Sequence, residues 1–128
     1  MKYEIIVECF NSLIEEEVDI SINSTRLKCF MPYGTDFWIE EGKKYYAEIE
    51  SIIFDKLIMK ENHESIKNIQ CNLNNFSHKV HGVLDIDNGI VHSSIDISLD
   101  KAYLYDYAYL DGSFIETVID RFDIEFIQ

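Results

Sequence analysis

Proline and glycine are scarce in this chain, with one Pro and five Gly among 128 residues. That leaves no Pro/Gly-rich linker. No repeat of solenoid period and no low-complexity tract divides the sequence either, so residues 1–128 are expected to form a single domain. Basic residues are also few: 11 Lys and Arg against 24 Asp and Glu, for a formal net charge of −13. Nucleic-acid binding depends on Lys and Arg replacing phosphate counterions, so nucleic acid is not an expected partner. No uncharged apolar run approaches the roughly 18 residues of a membrane span. The N-terminal stretch 1–8 carries acidic residues inside its apolar run and no small-residue cleavage pattern. No membrane partner is therefore expected, and the location read from the sequence is cytoplasmic. The three cysteines, Cys9, Cys29 and Cys71, are odd in number and widely spaced. They read as reduced thiols in or near a core, where a disulfide framework would need an even, regular set.

Catalytic signatures are missing as well. There is no Gly-x-Ser-x-Gly, no Gly-rich phosphate loop and no His-Glu-x-x-His. The carboxylate runs Glu15-Glu16-Glu17 and Glu40-Glu41 sit in turn-like context and read as solvated surface, so neither an enzymatic activity nor a cofactor is expected.

What the chain does have is period-two alternation. Tyr3, Ile5, Val7 and Cys9 share one face of a strand over 2–10, Val18, Ile20 and Ile22 share another over 17–23, and Leu27, Cys29 and Met31 alternate through 26–31. A long strand follows over 45–54, with a phase shift at Ser51 that suggests a bulge. Residues 60–75 are weakly patterned and read as a loop or a short helix. The last strand runs over 113–126, with apolar residues on both of its faces. The expected class is all-β: a small barrel or sandwich of six to seven strands with at most one short helix. Closure would remove the edges that so many apolar strands otherwise expose.

Between the alternating stretches 76–86 and 90–98, Asn88-Gly89 is a two-residue hairpin signal. With those residues at the turn centre, Asp85 opposes His92, Val83 opposes Ser94 and His81 opposes Asp96. Val80, Leu84, Ile86, Val91, Ile95 and Ile97 then gather on one face. The His–Asp oppositions read as cross-strand ion pairs, and no Cys lies near enough in sequence to complete a tetrahedral set. No metal site is expected from His78, His81 and His92.

From Asp85 onward ten Asp and Glu face only Lys101 and Arg121, so most of the net charge lies in this region. Within it, Tyr103, Tyr105, Tyr107 and Tyr109 recur at intervals of two. In an extended segment all four rings would project one way, a rigid aromatic platform ringed by Asp106 and Asp111. The alternative is that some rings plug the end of the barrel. Tyr103, Tyr105, Asp106, Tyr107, Tyr109 and Asp111 are the candidate partner-binding set.

The closing pattern Leu110-Asp111-Gly112-Ser113-Phe114, then 118–126 (VIDRFDIEF), together with Gly42-Lys43-Lys44-Tyr45 opening a strand, resembles a group of small uncharacterised bacterial proteins with OB-like barrels. The likeness covers the second half and one strand of the first, and it implies that the barrel or sandwich is a small OB-like barrel. More loosely, a small acidic chain of this kind resembles the immunity proteins of toxin–immunity systems. Acidic surface steers basic partners and can occupy a site built for phosphates. The function expected from the sequence is therefore a non-catalytic immunity protein neutralising a basic toxin such as a nuclease. A small-ligand or oligosaccharide-binding OB-like module or accessory subunit, stacking its ligand on Trp38 and the tyrosines, is the alternative.

Overall fold

Side-chain alternation builds the first four strands in the computed structural model, which describes residues 1–128. In β1 (Lys2–Phe10), Ile5 and Val7 point inward. β2 (Glu17–Ile22) buries Val18 and Ile20, β3 (Thr25–Phe30) buries Leu27 and Cys29, and β4 (Lys44–Ile52) buries Ala47 and Ile49. Asn23 and Ser24, both at positive φ (47° and 71°), join β2 to β3. Such a two-residue turn matches the right-handed twist of the paired strands. The chain then leaves to form β5 (Met59–Glu61), β6 (Asn68–Cys71), β7 (His78–Asp85), β8 (Ile90–His92), β9 (Asp96–Ser98) and β10 (Phe114–Ile119), and returns as β11 (Arg121–Ile127).

The fold is mainly β, with two short 3-10 turns at Lys101–Tyr103 and Tyr105–Leu110. Five strands close a barrel in the order β1-β2-β3-β11-β4, and the other six form a second sheet in which β10 and β6 flank β7. The seam between β3 and β11 is parallel and short, pairing Phe122 with Cys29 and Asp123 with Phe30. His78 lies beside it, fully buried. Its Nε2 accepts the Lys28 N–H (3.1 Å), its Nδ1–H donates to the Phe76 carbonyl (2.9 Å), and its ring meets Phe122 edge-on with centroids 4.8 Å apart. One cluster of 27 buried hydrophobic residues, from Ile5 to Phe126, runs through both sheets. Each fully buried Leu, Ile, Val or Phe in it contributes roughly 1.5–3 kcal/mol relative to exposure.

Several sequence expectations are corrected here. Eleven strands replace six or seven: the stretch read as a loop over 60–75 contains β6 and most of β5, and the runs over 90–98 and 113–126 each hold two strands. The long terminal strand is two: Asp120 breaks it, so β10 lies in the second sheet and β11 in the barrel. The apolar phase changes there, which explains hydrophobic residues on both faces. Asp120 Oδ2 accepts the Phe54 N–H (2.8 Å), holding the exit and return of the chain together. The phase shift at Ser51 is no bulge. The β4–β11 register runs regularly from Ile52 to Tyr46, and the irregularity of the barrel falls in β1 between Val7 and Cys9. Cys9 is exposed as a result, while Cys29 is buried and Cys71 half-buried.

The hairpin register also differs. β7 and β8 pair Val83 with His92, Leu84 with Val91 and Asp85 with Ile90, two residues from the expected alignment. The turn contains Ile86 to Gly89, closed by the Asp85 carboxylate, which accepts from the Asn88 backbone (3.2 Å) and side-chain amide (2.8 Å). A shift of two keeps every side chain on its face, so Val80, Leu84, Val91 and Ile97 are buried as expected. β9 then folds back on β8 instead of extending along β7, and His81 is opposed by Glu116 of β10 in place of Asp96.

Candidate functional site

A helical path, not an extended one, carries the tyrosines. Asp100 Oδ1 accepts the Ala102 N–H (2.9 Å) and caps the first 3-10 turn. With about three residues per turn, Leu104, Tyr107 and Leu110 fall on one side. Leu104 and Leu110 are buried, and the half-buried Tyr107 donates its hydroxyl to the Leu57 carbonyl (2.8 Å). Tyr105 and Tyr109 are 72% and 76% exposed, with Asp106 exposed between them in sequence and Tyr103 at 39%. Asp111 is exposed, but its Oδ1 accepts the Ile86 N–H (3.0 Å). The six candidate residues thus divide. Tyr103, Tyr105, Asp106 and Tyr109 are exposed, whereas Tyr107 and Asp111 tie the segment to Leu57 and Ile86. The single stripe of four rings does not form, and the leucines rather than the tyrosines fill the core.

The histidines are each committed differently. His92 sits between two carboxylates, Nε2 at 3.0 Å from Asp85 Oδ2 and Nδ1 at 2.8 Å from Asp96 Oδ1. Hydrogen bonding to Asp85, then to Asp96, raises its pKa, while hydrogen bonds from Asn88 and then His92 lower that of Asp85. The Asp85–His92 contact expected from the sequence is present, but across a diagonal instead of a directly opposed pair. His81 Nε2 lies 2.8 Å from Glu116 Oε1, and Lys60 binds the other carboxylate oxygen at 3.2 Å. Hydrogen bonds from His81 and Lys60 pull the Glu116 pKa down. No group of three or more His, Cys, Asp or Glu side chains is arranged to hold a metal ion.

Two surfaces were not assembled from sequence. On the outer wall of the barrel, β4 and β11 place Glu48 directly opposite Glu125 and Glu50 opposite Asp123. Like charges so placed repel. The Met1 amino group approaches Glu48 (3.3 Å) and Arg121 forks onto Asp123 (Nε at 2.6 Å), while Glu50 and Glu125 have no ion pair. These four carboxylates, with Pro32 and Tyr33, line a cleft of about 360 Å³. Alternation in Glu48-Ala-Glu50 and Asp123-Ile-Glu125 is visible in the sequence; their pairing across some seventy intervening residues is not. The second surface lies on the loop after β3, where Trp38 is 82% exposed beside an apolar groove of about 510 Å³. The sequence singled out Trp38 as a stacking residue without placing Phe10 next to it.

Residues 1–127 match the model of the family described as "Uncharacterised conserved protein UCP019853". No curated protein and no solved structure matches the chain.

Proposed function

We propose that this chain, which belongs to the family of uncharacterised conserved protein UCP019853, is a non-catalytic binding protein for a basic protein partner, most specifically an immunity protein that occupies a toxin domain such as a nuclease. One observation carries the reading: carboxylates are opposed in pairs, Glu48 to Glu125 and Glu50 to Asp123, on a wall where alternation alone would accept any polar residue. Opposed like charges weaken a sheet by up to about 1 kcal/mol per pair. A basic partner converts that repulsion into attraction on docking, and the net charge of −13 extends the attraction into solution. The exposed rings of Tyr103, Tyr105 and Tyr109, with Asp106 among them in sequence, supply aromatic area of the kind that anchors interfaces.

The test is capture of the partner from the native host, followed by association kinetics at two ionic strengths. The association rate should fall as salt rises, and both Glu125→Lys and Asp106→Lys should lower it. Salt-independent association refutes the reading. A second reading, small-ligand or oligosaccharide binding, is favoured by the apolar groove beside Trp38. Glycan titration of the purified protein distinguishes the two.

A further inference from the structure

The end of the barrel away from the chain's exit to the second sheet is formed by two loops, 11–16 between β1 and β2 and 31–43 between β3 and β4. They are bonded to each other and to the strand beneath. Met31 N–H donates to the Glu16 carbonyl (2.7 Å), Phe10 N–H to the Glu41 carboxylate (2.9 Å), and Gly42 N–H to the Val7 carbonyl (2.6 Å). On this fixed frame stand three of the most exposed large apolar side chains of the molecule, Leu13 (92%), Tyr33 (85%) and Trp38. Of these, Trp38 borders an apolar groove, a feature that marks an interaction site.

The groove beside Trp38 is walled by Phe10, Phe37 and Ile39, with Thr35, Glu40 and Glu41 completing its lining. Its floor is braced. Phe37 packs on Tyr45, Tyr45 packs edge-on against Phe126 of the core, and the Tyr45 hydroxyl accepts the Glu40 N–H (2.8 Å). The two loops hold five carboxylates (Glu15, Glu16, Asp36, Glu40, Glu41) and one cation, Lys43, which pairs with Glu40 at 2.8 Å. The chemistry on offer is an apolar trough, an indole face and a surplus of negative charge.

We infer that this groove is the anchor pocket for the basic partner and takes an arginine side chain of that partner, its methylene stem along Phe10, Phe37 and Ile39 and its guanidinium over Trp38. The inference rests on the basic-partner reading above and adds to it the residue recognised. A guanidinium is planar and weakly hydrated, so it stacks on an aromatic face and loses less on leaving water than an ammonium does. A sugar ring would need convergent polar partners beside the indole. Here the polar lining is rich in acceptors, the Glu40 and Glu41 carboxylates beside a lone Thr35 hydroxyl, and the oxygens not already bonded to Lys43 and the Phe10 amide suit the N–H donors of a guanidinium.

Trp38 is the only tryptophan of the chain, so indole emission reports on this groove alone. The probes are a blocked hexaarginine peptide, its hexalysine and hexacitrulline counterparts, and maltohexaose, added to the full-length protein at low salt. Hexaarginine should change the emission saturably, hexalysine less, and hexacitrulline and maltohexaose not at all. By calorimetry, Trp38→Ala should weaken hexaarginine binding roughly five- to thirtyfold. Its melting temperature should stay unchanged because the ring is outside the core. Asp36→Asn with Glu41→Gln, which keeps an acceptor for Phe10, should weaken binding while leaving the emission response intact. Binding of hexaarginine with no change in emission and no effect of Trp38→Ala would overturn the inference and leave the basic-partner reading standing. Absence of hexaarginine binding also overturns it, leaving that reading to its own kinetic test. A response to maltohexaose alone overturns it in favour of glycan binding.

Discussion

His78 is the residue on which the union of the two sheets is most exposed to pH. Burial pushes its pKa down to about 4 from an ordinary value of 6.5, against a smaller opposing effect of the Phe76 carbonyl, and the Lys28 ammonium lowers it further. The imidazole is neutral in the fold, with Nδ1–H donating and Nε2 accepting. The unfolded chain takes the proton more readily, so the stabilisation is complete above pH 6.5 and is lost as pH falls from 6.5 towards 4. The loss should amount to something on the order of 3 kcal/mol. Urea unfolding of the native protein at pH 7 and pH 5 should show the decline. In His78→Phe the slope over that window should flatten, on a baseline lowered by about 1–3 kcal/mol because the Lys28 N–H has lost its acceptor. Protonation would set two donors, Nε2–H and the Lys28 N–H, against each other, and that is why the residue acts as a clasp only when neutral.

At the scale of elements, the second sheet depends on a close approach at Gly82 of β7. A Cβ there would meet the His92 carbonyl oxygen at 2.5 Å and its carbon at 2.9 Å, both backbone atoms unable to swing aside. Gly82→Ala should therefore cost about 1–3 kcal/mol, read as a lowered denaturation midpoint with the m-value unchanged. The three-residue strands β8 and β9 explain why this constraint was hidden. The sequence shows an Asn-Gly turn and two alternating runs, which fit a simple hairpin. Asp85 instead caps a longer turn, and Ser93 to Ile95 fold β9 back. Ser93 Oγ donates to the His81 carbonyl (2.6 Å) and lies 3.2 Å from that of Asn68. Which residues face the core was legible, since a two-residue shift leaves faces unchanged; which residues oppose one another was not, because turn closure decided it. The tyrosine segment behaves alike. Its spacing suits a strand, but burial of Leu104 and Leu110 selects a 3-10 path that scatters the rings.

For the whole molecule, the distribution of charge is the property that links stability to partner choice. Glu125→Lys replaces a repulsive cross-strand pair with an attractive one. It should raise the unfolding free energy by a few tenths up to about 1 kcal/mol, and it should slow association with a basic partner in the same variant. A gain in stability with an unchanged association rate would separate the acidic wall from function. Tyr107→Ala should destabilise the fold, since Tyr107 packs on the core and bonds to Leu57. Tyr105→Ala and Tyr109→Ala should leave the melting temperature near that of the parent, because both rings lie outside the core.

Composition and alternation by themselves determined a mainly β chain, the inward face of nearly every long strand and an excess of negative charge, because those properties are set by neighbouring residues and by a period of two. Tertiary structure alone decided where the last strand changes sheets, that Glu48 meets Glu125 and Glu50 meets Asp123, that His81 binds Glu116, and that Phe10 stands beside Trp38. Each of these joins residues distant in the chain. Barrel closure and the register of long-range pairs are fixed by the packing of the core as a whole, and no local pattern encodes that choice.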